Sequence, residues 1–191
     1  MTKAPRLYLK NRDEWRQWLI DNHNTTTGIQ LILYKVSSSK ESMRWEEAVQ
    51  EAICFGWIDS TVKKLDEESR VQYFSPRKPK SVWSALNKKY IKELIASKRM
   101  HKSGLVKIEA AKKDGSWTSL DDVEKLVIPE DLQFAFNENP IAFNNYKNFA
   151  PSYRKGYLYW LNQAKRAETR VKRIKSIIQF CEQNIKQRAT R

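Results

Sequence analysis

The chain has 191 residues, with 36 Lys/Arg against 22 Asp/Glu and a net charge of +14. Apolar types at 40% and aromatics at 12% exclude wholesale disorder, and the length admits one domain or two small ones. Five Gly and six Pro exclude a collagen-like or low-complexity chain and favour helices.

The polar start, Met1 to Trp15, holds no apolar run like the core of a signal peptide. No stretch approaches the ~20 apolar residues of a membrane span. A soluble, cytoplasmic protein is expected. Arg12 to His23 reads as a short helix with Trp15, Trp18 and Leu19 on one side, broken by Asn24 to Gly28. Ile29 to Val36 is nearly continuous in apolar and aromatic types, the pattern of a central buried strand. Ser42 is the expected N-cap of the next helix, with Glu46 and Glu47 in its first turns. Its buried stripe is Trp45, Val49, Ala52 and Ile53, widened by Cys54 and Phe55, and Gly56 stops it.

A hairpin follows. Trp57 to Val62 alternates, placing Ile58, Ser60 and Val62 on one side and Trp57, Asp59 and Thr61 on the other. Leu65 to Ser69 turns the chain, and Val71 to Phe74 returns. Pro76 and Pro79 lead to a helix expected to be capped by Ser81, with a stripe of Trp83, Leu86, Tyr90 and Leu94 flanked by Asn87, Ile91 and Ile95. Another helix is expected from Leu105 to Lys113, ended by Gly115.

Beyond Trp117 everything reads as helix, with Pro129, Pro140 and Pro151 at helix starts. The last helix, about Glu168 to Arg188, aligns Val171, Ile174, Ile178, Cys181 and Ile185 on one seam. The expected class is therefore α+β and helix-rich: a small sheet of about three strands with surrounding helices over residues 1–117, then an all-α region over 118–191.

Charge is uneven. From Pro151 to the end, eleven Lys/Arg face only Glu168 and Glu182, a net +9 of the total +14. Arg70 to Lys92 has no acidic residue, and Tyr73, Phe74, Trp83 and Tyr90 lie among its cations. This pattern suits a sequence-nonspecific nucleic-acid binder using Lys78, Lys80, Lys88, Lys165, Arg166, Arg170 and Arg173, although no known nucleic-acid motif accompanies it. The same cations also suit a solvated face.

Catalytic chemistry has little material. His23 and His101 are the two histidines, both expected to be solvated beside loops, so no metal cluster or catalytic triad is expected. The Ser-x-x-Lys spacing occurs at Ser37 to Lys40 and again at Ser152 to Lys155, which shows how cheap it is. Cys54 and Cys181 sit on apolar stripes and are expected to be reduced and buried. No cofactor and no catalytic residue is assigned; an enzyme with Asp59 in its site remains a distant alternative to a binding protein.

Three Trp-rich stretches are informative together: Glu51 to Ser60, Phe74 to Asn87, and Ser152 to Arg166 with Glu168, Thr169 and Arg170. In this order, from about Trp15 to Asn184, the chain resembles the YdeI/OmpD-associated, or bacteriocin-protection, family. The resemblance implies a bacterial protein associated with protection against bacteriocins or cationic antimicrobial peptides and with a porin, in some members periplasmic. It implies no catalytic residue.

Read physically, the first two stretches converge. Arg77 precedes a helix whose first turn is expected just after Ser81, where free backbone N–H groups favour anions. A small anionic ligand held by Arg77, Ser81 and Asn87, with Trp83 as an apolar wall and Trp57 and Asp59 alongside, is one expectation. The other is an Asp59–Arg77 ion pair, with Ser81 merely capping and Asn87 serving buried backbone.

Overall fold

A computed structural model describes residues 4–187. Residues 1–3 of the polar start, and Arg188 and Arg191 of the basic tail with the expected end of the last helix, lie outside them. The chain divides into two compact units, Met1–Thr118 and Ser119–Arg191.

The first unit is α+β. Its strands are β1 (Arg6–Tyr8), β2 (Ile29–Tyr34), β3 (Trp57–Lys64) and β4 (Ser69–Pro76). Its helices are α1 (Arg12–Asn22), α2 (Trp45–Cys54), α3 (Ala85–Ala96) and α4 (Lys102–Asp114). The sheet order is β1-β2-β4-β3, parallel between β1 and β2 and antiparallel elsewhere. The sheet thus has four strands rather than about three. The missed one, β1, is only three residues long, too short for an alternation to register.

β2 is central as expected, but only Ile29, Leu31 and Leu33 are fully buried, while Gln30, Ile32 and Tyr34 are half-buried. The core therefore lies on one sheet face. There Trp15 and Leu19 of α1 and Ala48, Ala52 and Ile53 of α2 meet Ile29, Leu31, Trp57 and Phe74. The Trp15 ring stacks on Trp18 and lies 5.6 Å from that of Phe74, and its indole N–H donates to the Ala48 carbonyl at 3.0 Å. Each of these indoles buries on the order of 200 Å².

Two helix starts differ from expectation. α2 begins at Trp45, where the Glu47 carboxylate accepts from the Arg44 N–H at 2.8 Å; Ser42 instead accepts from the Tyr34 N–H at 3.0 Å. α3 is capped by Ser84, whose hydroxyl accepts from the Asn87 N–H at 3.2 Å, so Trp83 precedes the helix. The buried face of α3 is Tyr90, Ile91 and Leu94, and Leu86 is exposed. A register shift in the β3–β4 ladder between Asp59 and Val62 changes the strand's phase. Val62 opposes Gln72 and Asp59 opposes Phe74, two residues apart on β4, so Val62 shares Asp59's side, against the simple alternation.

The buried stripe of α2 contains an acid. Glu51 is fully buried and accepts from Arg12 Nε at 2.5 Å, Arg16 Nη1 at 2.6 Å and Arg99 Nη2 at 2.7 Å. This clamp joins α1, α2 and the α3–α4 connection. Beside it, His23 and His101 are not solvated: both are half-buried, their rings 5.0 Å apart, and His101 stacks on Phe55. Burial, then the neighbouring His23 and Arg16, lowers the His101 pKa.

The second unit holds helices only among its described residues: α5 (Asp121–Glu124), α6 (Glu130–Asn137), α7 (Pro140–Asn148), α8 (Pro151–Asn162) and α9 (Ala167–Glu182). Pro140 and Pro151 open α7 and α8, whereas Pro129 stands one residue before α6. α9 packs on α6, α7 and α8, which widens its buried face. Ile177, Ile178 and Cys181 are buried, Ile174 and Ile185 are half-buried, and Val171 is exposed, so the narrow expected seam is corrected. The helix stops at Glu182, followed by Asn184 at φ 55°, leaving Ile185 outside it. Both cysteines are free and buried, and burial pushes the Cys54 thiol to about 11 and the Cys181 thiol to about 12. Among the described residues no helix is long and apolar enough to cross a membrane.

Burial alone would raise the Glu51 pKa, but hydrogen bonds from the three arginines outweigh it and hold the carboxyl below its ordinary 4.5. Its stabilisation is therefore complete above pH 4.5 and disappears as pH falls through the depressed native value. Glu51→Gln should lower stability near neutral pH by roughly 3 kcal/mol, the low end for a buried pair because the arginines keep some water. Urea unfolding of both proteins across acidic pH should show that difference shrinking as pH drops; a constant difference contradicts the charge argument.

Candidate functional site: an unpaired arginine and a separate cleft

β4 ends at Pro76, and the Arg77 N–H donates to the Gly56 carbonyl at 2.9 Å. Gly56 sits at φ 76°, a conformation that side-chain-bearing residues rarely adopt, so the end of α2 and the end of β4 meet at this turn. The tether directs the Arg77 side chain inward. Only 2% of Arg77 is exposed, and its guanidinium lies 3.5 Å from the centre of the Trp83 ring. Nη1 donates to the Val82 carbonyl at 3.0 Å, while Nε and Nη2 are buried without a partner. Asp59 forms no ion pair with it. Burial pushes the Arg77 pKa down to about 10, and the more distant Asp59 charge pulls it only partly back.

Arg77 lines a small recess of about 80 Å³ with Lys78, Lys80, Ser81, Trp83, Lys107 and Asp114. Four cations thus face one carboxylate. Asp114 is itself engaged, accepting from the Ser116 N–H at 2.9 Å and from the Lys80 N–H at 3.2 Å. The Ser116 side chain first, and then these backbone donors, hold its pKa below the usual range. Lys80 has φ 60°, a left-handed turn that closes the loop around the recess. Ser81 Oγ donates to the Lys78 carbonyl at 2.7 Å, so its role is the turn and not the helix cap.

The six residues expected around one ligand therefore separate. Arg77, Ser81 and Trp83 share the recess. Asn87 is occupied at the α3 cap, where its Oδ1 accepts from the Ser84 hydroxyl at 2.7 Å. Trp57 is core, and its indole N–H donates to the His23 carbonyl at 3.2 Å. Asp59 lines a different and larger cleft with Trp45 and Gln72.

Of the seven cations expected to contact nucleic acid, Lys78 and Lys80 border the recess and Lys88 lies 5.3 Å from the Trp117 ring. In the second unit Lys165 and Arg166 are exposed. Arg170 is held bidentately by Asp131 at 2.5 and 2.8 Å, and Arg173 donates to the Trp160 carbonyl and covers its ring. Lys107 and Asp114 carry no local signal in the sequence, because they reach the recess from α4, about 30 residues downstream. The Glu51 clamp did carry a signal, an acid on an otherwise apolar helical stripe.

Two families match the chain. One, described as a domain of unknown function, DUF8412, matches residues 7–107, more than half of the chain and nearly the whole α+β unit. The chain belongs to the DUF8412 family. The other, described as bacteriocin-protection, YdeI or OmpD-associated, matches residues 125–184 in the helical unit. That match is narrower than the expected span from Trp15 to Asn184: the Glu51 to Ser60 and Phe74 to Asn87 stretches fall in the DUF8412 part. No curated protein and no solved structure matches.

A charge buried without a counter-ion destabilises the fold that holds it. Arg77→Met keeps a long stem against Trp83 and removes that charge. It should leave the protein as stable as the wild type or about 1–2 kcal/mol more stable at neutral pH, read from the urea midpoint. A large destabilisation of Arg77→Met would mark the guanidinium as a structural joint.

Proposed function

We propose that the DUF8412 unit binds a small anion, of phosphate or carboxylate size, in the recess beside Arg77. The observation that carries this reading is the orphaned guanidinium: a buried cation with two N–H-bearing nitrogens unpartnered, flanked by three lysines. Such a group is satisfied by an anion brought from solution, since charge-assisted hydrogen bonds to a guanidinium are among the strong ones. A volume of about 80 Å³ suits one oxyanion headgroup and excludes a folded polyanion from the interior.

Sequence-nonspecific nucleic-acid binding is the poorer reading, because Arg170 and Arg173 already hold partners within their own unit. Bacteriocin protection, the description of the family that matches the helical unit, supplies a setting in which a ligand-sensing module is useful. The role proposed is accordingly ligand binding and not turnover.

Inorganic phosphate, titrated at constant ionic strength against chloride, should raise the melting temperature saturably; at a hundred times its Kd the gain is about 2.7 kcal/mol. Lys107→Ala should weaken the phosphate effect several-fold while leaving the ligand-free melting temperature near wild type. Arg77→Met should abolish it. Equal responses to phosphate and chloride, or a phosphate response that survives in Arg77→Met, overturn the proposal.

A further inference from the structure

The larger cleft, about 1040 Å³, lies on the core side of the sheet where α2 stops short of covering it. Its apolar lining comes from Leu33, Val36, Met43, Trp45 and Val62. Its size is that of sites for small organic molecules. The charged side chains on its rim, Lys35, Arg44, Glu46, Lys64, Asp66 and Arg70, are all exposed, so water and salt screen them. Asp59 is the one charged lining group that is half-buried.

How Asp59 is held decides what it can recognise. The indole N–H of Trp45 and the amide of Gln72 both donate to its Oδ2, each at 3.2 Å. Gln72, only 4% exposed, also donates to the Ser60 carbonyl at 3.1 Å, pinning the irregular stretch of β3 that carries Asp59. Among the described residues no donor reaches Oδ1. The carboxylate is therefore oriented by two neutral donors and keeps one acceptor oxygen free, beside an indole and an aliphatic floor. Neither partner neutralises its charge.

We infer that this cleft is a second ligand site, distinct from the Arg77 recess, for a primary ammonium carried on an apolar or aromatic body. The ammonium meets Oδ1 of Asp59, and the body lies against Trp45, Leu33 and Met43. An anion is repelled by Asp59, and a neutral hydroxyl gains only the weaker uncharged hydrogen bond. The chemistry is opposite to that of the recess, so the two sites do not compete for one ligand.

The test is an NMR titration that follows the indole N–H signal of Trp45, identified by its loss in Trp45→Phe. The probe is phenethylamine, with 2-phenylethanol as the uncharged analogue and 3-phenylpropionate as the anion. Phenethylamine at millimolar concentration should shift the signal saturably and bind about tenfold more tightly than the alcohol. Asp59→Asn should remove that preference, and Val62→Trp, a substitution at an exposed strand position, should fill the cleft and block binding. Equal binding of amine and alcohol, unchanged preference in Asp59→Asn, unchanged binding in Val62→Trp, or no shift in the wild type each overturn the inference. The phosphate response in Asp59→Asn should remain that of the wild type, which separates this site from the one at Arg77.

Discussion

Everything described in the α+β unit is arranged around one buried carboxylate. Glu51 is anchored by guanidiniums from α1 and from the α3–α4 connection, and it sits in the middle of α2. Because both ends of α2 border a candidate site, the clamp positions both. Its N-terminal residue Trp45 walls the larger cleft, and its C-terminal turn at Gly56 receives the Arg77 N–H. A shift of α2 along the sheet would open one and distort the other. An ionic clamp suits this task better than apolar packing, because its geometry is directional and tolerates little sliding.

The unit handles buried charge in two contrasting ways. Glu51 is over-compensated, one anion among three cations, so its negative charge is fully stabilised and the surplus positive charge reaches water through partly exposed arginines. Arg77 is under-compensated, with one carbonyl, one indole face and no carboxylate. The first arrangement resembles a structural joint and the second resembles a prepared binding group, since strain at an unsatisfied polar atom is what an arriving ligand relieves. Asp59 is an intermediate case, oriented but not neutralised.

Much of the fold was legible in the residues. The two-part division, the hairpin, the central strand and most helices follow from hydrophobic period and from Gly and Pro punctuation. β1 was not, because three residues carry no period and its pairing depends on β2 being already in place. Ser81 and Ser84 both stand ahead of an apolar run, so the pattern does not separate the two as caps of α3; only the turn, in which the Ser81 hydroxyl donates to the Lys78 carbonyl, distinguishes them. With the cap at Ser84, Trp83 precedes the helix and Asn87 is engaged at the cap and not in the recess.

Residue order and type were enough to show that Arg77 lies in a cationic, Trp-containing connection after a hairpin, that both cysteines are buried as hydrophobic fillers, and that the described residues beyond Trp117 fold as helices without strands. Tertiary structure alone decided that Arg77 is buried without a counter-ion, that Asp59 belongs to another cleft, that Lys107 and Asp114 complete the recess, and that the two histidines meet edge-to-face beside a triply paired glutamate. The reason is that burial and pairing are sums over neighbours far apart in the chain. Local pattern reports which face of an element turns inward, but not which distant charge, or which missing one, it meets there.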